Sequence, residues 1–430
     1  MAMYKTLSTS PVIPWRFRKG LERWLESSCR DHRPGLYRWM HFGEARDRLS
    51  AVTSGPKHHF FGYYDKCPWN ASATLLLAHE AAFNDRPPGA EDKVTIGVVS
   101  LGDQNRFQPL AASRAWNWQQ GSMLQWHPSD ADRSIVYNDQ RDGRFVGVVR
   151  DTRGHEINVY DRPIYALSPG GRYAYSVNFA RLHTHRPGYG YAGIADRWAA
   201  DPHPRDDGIH RLDLLSGASD LIVSLDQLAR IGFNGRACEA FQWINHVQVS
   251  PDGGRLGFFH IHRVGEAGWR ARLFVCASDG ADPKCLVDAD VVSHYDWLDN
   301  RQILIWAKDE GRPGHFWLVD AEQTDRRVFG IGVLSEDGHV NFSPDRTWVL
   351  NDTYPDGYDM RTLMLLRWAD GQRIDLARLH SPKSRWWGEI RCDLHPRWSR
   401  DGTQVCIDSV HTGERQMYVV DVGELVAGQR

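Results

Sequence analysis

From about residue 60 onward, short apolar runs repeatedly enter a tight turn built from Ser or Trp, Pro, Asp and Gly, and an alternating apolar–polar run follows. The turns read KCPWNAS, WHPSDAD, LSPGGR, VSPDGGR, WLDNR, FSPDRT and WSRDGT. With Asn70, Asp130, Gly170, Asp252, Asp299, Asp345 and Asp401 as equivalent points, the intervals are 60, 40, 82, 47, 46 and 56 residues. Each turn is followed in due course by a further apolar run ending in a polar turn: VTIGVVSLG, RFVGVVRDTRG, GIHRLDLLSG, RLFVCASDGA, HFWLVDAEQ, TLMLLRWADG and QMYVVDVGE. Repetition at about 40–50 residues with insertions is the period of four-stranded propeller blades. The pattern therefore predicts an all-β fold, a seven-bladed β-propeller over residues 46–430. The last blade lacks its outermost strand, which residues 46–56 can supply, closing the ring and removing an exposed edge.

Residues 1–45 differ: WRFRKGLERWLESSCRDHRPGLYRWMHFGEARDRL spaces Trp and Leu helically among many arginines, so a short N-terminal helical extension packed on the main fold is expected. A formal charge of −2, with 25% charged residues, supplies no global basic field for nucleic acid or an acidic membrane. Seven scattered cysteines without a CxxC pair argue against a disulfide framework and read as buried thiols. The chain opens without an apolar run of signal-peptide length, and no stretch approaches about 18 apolar residues, so a cytoplasmic location without stable membrane insertion is expected.

In a propeller the innermost strand of each blade precedes the tight turn and lines the axial channel. Counting back five or six residues from each turn point reaches Tyr64 or Asp65, Gln125, Tyr165, His246, His294, His339 and His395. Four imidazoles from four consecutive blades suit a divalent metal, Zn²⁺ or Mn²⁺, with Ca²⁺ as a further option and a structural role expected. Cys392, Glu336 and Asn341 lie close enough in sequence to complete or orient such a shell; a hydrogen-bonded histidine cluster with ordered water is the alternative.

A second polar set surrounds it. KHHFFGYYDKCPW holds His58 and His59, LLLAHEAAF holds His79, and AWNWQQGSMLQWHP holds Asn117, Gln119 and Gln125. RPIYALSPGGRYAYSVNFARLHTHRPGYGY holds Tyr165, Arg181 and Tyr189, its glycine-rich end reading as a substrate-facing aromatic loop. His, Tyr, Arg and amides with few carboxylates would welcome an anionic substrate, and they fit β-elimination of a uronate-containing glycan. A cation neutralises the carboxylate, which acidifies the C5 proton, and a Tyr or His moves protons. Glycoside hydrolysis needs two placed carboxylates, for which only Asp65 and Glu80 stand out. No GxSxG elbow, P-loop or dinucleotide fingerprint occurs in the right setting. A non-catalytic propeller that binds glycan or protein at its rim is the other reading.

These segments, with NHVQVSPDG, SHYDW, GHVNFSPD and CDLHPRW continuing them over most of residues 55–410, resemble the propeller-type polysaccharide lyases: the ulvan lyases and, more distantly, oligogalacturonate lyase. The resemblance implies a seven-bladed ring with a metal that cleaves at uronates by elimination. It assigns His59 and His79 to acid/base work and carboxylate neutralisation in either order, Tyr165 as the catalytic tyrosine and Arg181 as the uronate-binding cation. His246, His294, His339 and His395 become the metal-site positions. Ulvan lyases are exported, and the absence of an export signal turns the expectation toward an intracellular uronate-bearing oligosaccharide or an endogenous surface polysaccharide.

Overall fold

The computed structural model describes residues 48–427 apart from 233–237, 267, 310 and 324–325; the expected N-terminal extension, residues 1–45, lies outside them. The strands form seven four-stranded antiparallel sheets around an axis, a seven-bladed β-propeller. Blade 1 runs outward through His58–Phe60, Leu75–Ala81, Val94–Ser100 and Arg106–Ser113. Blades 2 to 6 repeat the order, with innermost strands Gln125–Trp126, Ala166–Leu167, Gln242–Val249, Val291–Trp297 and Asn341–Phe342. In blade 7, Arg397–Trp398, Gln404–Ser409 and Gln416–Asp421 are joined by Leu49–Ala51, whose Leu49 lies opposite Val420 and Ala51 opposite Tyr418. The ring thus closes with Leu49–Ala51 as the outermost strand of the last blade, covering the edge of Gln416–Asp421.

The recurring turn has a recurring cause. In blade 4 the Ser250 hydroxyl donates to Asp252 Oδ1 at 2.6 Å and accepts from the Arg255 amide at 2.9 Å, closing the loop between the first two strands. Ser343 does the same with Asp345 and the Trp348 amide, and Ser399 with Asp401 and the Gln404 amide. Serine and aspartate two apart are therefore self-capping turn residues, which is why the period is visible in the chain. Alternating apolar residues from facing blades fill the space between sheets; Leu76, Val99, Ile135, Val148, Leu273, Ile303, Leu350 and Val405 are all fully buried.

The long interval after Gly170 is an insertion in blade 3. Between Tyr173–Ser176 and Gly208–Asp213 the chain makes a short helix, α1, Phe179–His185. Asn178 caps it by accepting the Arg181 amide, and Pro187 stops it, since the residue before a proline is driven out of the helical region. Arg186 sits at that break with φ −140° and ψ 71°, so its side chain leaves the helix. The six described cysteines are free thiols. Among the described residues no helix is long and apolar enough to cross a membrane.

Candidate functional site in the axial channel

Bulges aim the histidines. In blade 4 the pairing skips from Asn245–Phe259 to Gln248–Gly257, and His246 takes φ +53°; in blade 5 it skips from Ser293–Trp306 to Tyr295–Ile305, leaving His294 unpaired. His395 adopts φ +41°. A β-bulge re-aims one side chain at a local cost in backbone energy, which clusters at functional sites. The imidazoles of His246, His294, His339 and His395 form an arc, with successive ring centroids 6.4, 4.1 and 4.4 Å apart. Tyr63 completes it: its ring lies 5.0 Å from His246 and 4.9 Å from His395, and its hydroxyl lies 3.4 Å from His246 Nε2.

Within this arc His339, Asp393 and His395 bring one donor atom each within 4.8 Å of one another, a group able to hold a metal ion. The nitrogens are pre-oriented. His339 Nδ1 faces Asp352 Oδ1 at 2.9 Å and His294 Nδ1 faces Asp337 Oδ1 at 2.9 Å, the carboxylate–histidine pairing that fixes ligand tautomers. His339 Nε2 and His395 Nε2 are buried without a hydrogen-bond partner. Burial holds His339 below its ordinary range and His246 and His395 well below it, so all three are neutral, the form that binds metal and accepts protons. Asp393 is held well below the usual carboxylate range by Arg391 and Arg361, although its burial opposes this. The donor set fits a divalent ion of the zinc or manganese kind. Aspartate was not anticipated from sequence, although D-x-H in CDLHP carries the signal. Cys392 instead packs against Trp386 and Val410 with its thiol pushed up to about 11 by burial, and Asn341 bonds backbone carbonyls of Tyr64 and Pro396. Glu336 is exposed.

Beside the arc stand two arginines of opposite character. Arg391 donates to Asp393 Oδ2 at 2.6 Å and to the Tyr189 hydroxyl at 2.6 Å. Arg186 stacks over the rings of Trp269 (4.4 Å) and Tyr189 (5.1 Å), and its guanidinium makes no hydrogen bond or ion pair with the described residues. Its charge is felt at His246, which it helps to hold neutral. Tyr189 links the two and meets His246 edge-on at 5.5 Å.

The structure separates the other sequence-derived candidates from this arc. Arg181 spends its guanidinium on Asp196 and on the carbonyls of Gln242, Trp198, Asp201 and Pro202, which leaves nothing for a uronate. His79 is fully buried, stacked on Phe60 and bonded to the Ser122 hydroxyl at 2.9 Å, and burial pushes it down to about 4. His59 sits in the seam between blades 1 and 7, between Gln416 (3.1 Å) and Glu80 (3.3 Å). Asn117 shapes its own turn by accepting the amides of Gln119 and Gln120, and Gln119 carries the carbonyls of Glu389 and Arg391. Of these residues only Arg181 has its donors fully taken up by the fold, while His59 Nε2, His79 Nδ1 and Gln119 Oε1 are buried without a hydrogen-bond partner. The contacts of all five run to neighbours other than the arc histidines.

Tyr165 lies one layer below the arc. Its hydroxyl receives Gln120 Nε2 (2.7 Å) and the His246 amide (2.9 Å) and donates to Asn245 Oδ1 (2.8 Å), so it holds the bulge and is not free to take a proton. Tyr295 grips the other side, donating to the His246 carbonyl at 2.6 Å, and Tyr64 grips Tyr295. This floor of three buried phenols divides the channel. Beyond it, Gln125 does not share the histidine level as expected but lines a separate cavity of about 210 Å³ with Asp65, Lys66, Asp296 and Arg346.

The chain matches no protein-family model and no curated protein in sequence. Among solved structures it is similar to an oligogalacturonate lyase from Vibrio parahaemolyticus, with TM-score 0.64 and 13% identity over 88% of this chain and 94% of that one. An oligogalacturonate lyase in complex with manganese matches with TM-score 0.64 and 17% identity over the same shares. At these identities the likeness establishes the propeller fold.

Proposed function

We propose that the channel arc is the active site of a lyase that cleaves an anionic, uronate-containing oligosaccharide by β-elimination. The observation that carries this reading is Arg186: a cation with unspent donors, held by stacking, next to neutral imidazoles and a metal-donor group. A guanidinium of this kind receives a carboxylate with two parallel bonds. Binding there withdraws charge from the carboxylate and acidifies the proton on C5. A divalent ion held by His339, Asp393 and His395, with His294 beside them, would add positive charge for the same carboxylate. The manganese in the similar oligogalacturonate lyase supports this assignment.

Proton transfer falls to the pair nearest Arg186. His246 Nδ1 is unpartnered and neutral, and is the base that takes the C5 proton. Tyr63, whose burial raises it well above the usual phenol range, keeps its proton and is the acid for the leaving oxygen as the C4–O bond breaks. The 3.4 Å between Tyr63 Oη and His246 Nε2 allows the imidazolium to return that proton. The products are a C4–C5 unsaturated uronate and a free hydroxyl. Hydrolysis is disfavoured because Asp337, Asp352 and Asp393, the carboxylates beside the arc, are each committed to a histidine or arginine partner and do not form a free pair.

Incubation of the metal-loaded protein with short uronate oligosaccharides, galacturonate-based and glucuronate-based, is expected to yield products absorbing near about 232 nm, the chromophore of the new double bond. Saturated, hydrolysed ends in place of that band would overturn the reading in favour of a glycosidase. Tight metal binding with no turnover on any uronate would favour a binding scaffold with a structural ion.

A further inference from the structure

The nitrogen and oxygen donors of the arc are sealed. His246 Nδ1, His339 Nε2 and His395 Nε2 are buried from solvent and make no hydrogen bond, and Asp393 is fully buried between Arg361 and Arg391. Any ion or sugar that reaches them needs a part of the wall to move. The floor is three buried tyrosines: Tyr64 bonds the backbone of Tyr295, and Tyr165 and Tyr295 bond the amide and carbonyl of His246. The roof is different. Here the blade 3 insertion meets the segment that leads into blade 7: Tyr189 accepts from Arg391 Nη2 at 2.6 Å, and Gly188 rests against Glu389.

The two halves of this bridge are held unequally. Residues 389–391 are pinned through their carbonyls: Gln119 Nε2 reaches Glu389 and Arg391 at 3.1 and 3.0 Å, and Arg415 Nη2 reaches Ile390 and Arg391 at 2.7 and 2.9 Å. Residues 187–189 are held by fewer and longer backbone bonds, Tyr189 N–H to Arg186 C=O at 3.3 Å, up to Gly190, which packs on α1 at His183 and Phe179 and accepts from Asn117 Nδ2 at 3.3 Å. The Tyr189–Arg391 bond is the short one that ties the loose half to the fixed half.

We propose that Tyr189 and Arg391 form a latch over the channel that an anionic ligand opens by taking the place of the Tyr189 hydroxyl on Arg391 Nη2. Arg391 is thereby a second carboxylate-recognising cation and a specificity element, because a neutral sugar competes poorly with a phenol for a charge-assisted bond. This rests on the carboxylate ligand proposed above, but the movement of the roof can be tested without turnover.

A Cβ placed on Gly188 lies 3.5 Å from Glu389 Cβ, a separation a disulfide can bridge. In Gly188→Cys/Glu389→Cys, modification of His246 and His395 by diethylpyrocarbonate, followed by peptide mass spectrometry, is expected to be at least about tenfold slower in the oxidised than in the reduced protein, a ratio equivalent to about 1.4 kcal/mol. Equal rates would overturn the latch. Gly188 sits at φ +95°, where a side chain is strained, so Tyr189→Phe supplies a second arm. It removes the accepting hydroxyl and is expected to speed the same modification several-fold; an unchanged rate counts against the latch. For the trigger, hydrogen–deuterium exchange of the peptide spanning residues 186–191 is expected to accelerate with galacturonate and not with galactose. The same response to both sugars, or to neither, would overturn anion control while leaving elimination activity to be judged by its own assay.

Discussion

Two regions of this molecule are rich in histidine, arginine and tyrosine, and they differ in how their unpartnered groups are gathered. Around the seam of blades 1 and 7 and in helix α1, His59, His79 and Arg181 are surrounded by partners, and Arg181 alone makes five hydrogen bonds to its neighbours. His59 Nε2 and His79 Nδ1 are unpartnered singly, whereas in the channel arc the unpartnered nitrogens of His339 and His395 converge with Asp393 on one metal-donor group. His246 Nδ1 is also unpartnered, and half-buried Arg186 stands beside them. The histidines of both regions are buried, but Arg181 is buried and Arg186 only half-buried. Unsatisfied buried polar atoms are costly and rare, so where they gather they mark a place built for something that arrives later.

Arginines five residues apart offer the widest test of that contrast. Arg181→Ala strands the buried Asp196 carboxylate and four carbonyls, and should lower unfolding stability by about 3–5 kcal/mol in denaturant titration. Arg186→Ala breaks no side-chain hydrogen bond among the described residues, so its melting temperature should stay near that of the wild type while elimination falls by about 10²–10³-fold, the usual loss for one charge-stabilising donor. If the two variants lost stability alike, the division between spent and unspent arginines would fail.

Metal affinity probes the arc itself. Asp352→Asn leaves the three donors in place but weakens the hold on His339 Nδ1, and titration of Mn²⁺ or Zn²⁺ should show binding weakened by about 10–100-fold. A smaller change is expected from Tyr165→Phe, which frees the His246 amide and strands Asn245 Oδ1 and Gln120 Nε2: about 1–3 kcal/mol of stability, read by denaturant midpoint. If Tyr165 were the catalytic acid, that variant would lose all turnover with little effect on folding.

The smallest effect at neutral pH belongs to His79→Gln, which can keep a bond to Ser122. Its signature is in acid. His79 titrates at about 4 in the folded chain against 6.5 in the unfolded one, so the unfolded state takes the proton first as pH falls. The stability contribution is complete above about 6.5 and is lost as pH drops toward 4. The variant should therefore show a flatter pH dependence of melting temperature over that window; an unchanged slope would place the imidazole somewhere less buried.

The periodic Ser-x-Asp turns and alternating apolar runs were legible along the chain because each is a local device: the side chains of Ser250 and Asp252 close their turn through bonds within residues 250–255. So were the ring closure and the convergence of His246, His294, His339 and His395, since a repeat places equivalent residues at equivalent radii. Which polar groups remain free was not legible. Arg181 and Arg186 look alike in ARLHTHRPG, and their fates part only because α1 points the first into the Asp196 pocket and Pro187 throws the second out over Trp269 and Tyr189. Asp393 joined the candidate metal donors, and Gln125 fell away from the histidine level into a separate cavity, through bulges and turns that shift the level of each inner strand. Local hydrogen bonding and side-chain periodicity are written in neighbouring residues, and they determined the propeller. Hydrogen-bond satisfaction is a sum over partners from distant blades, and only the tertiary structure decided where it fails.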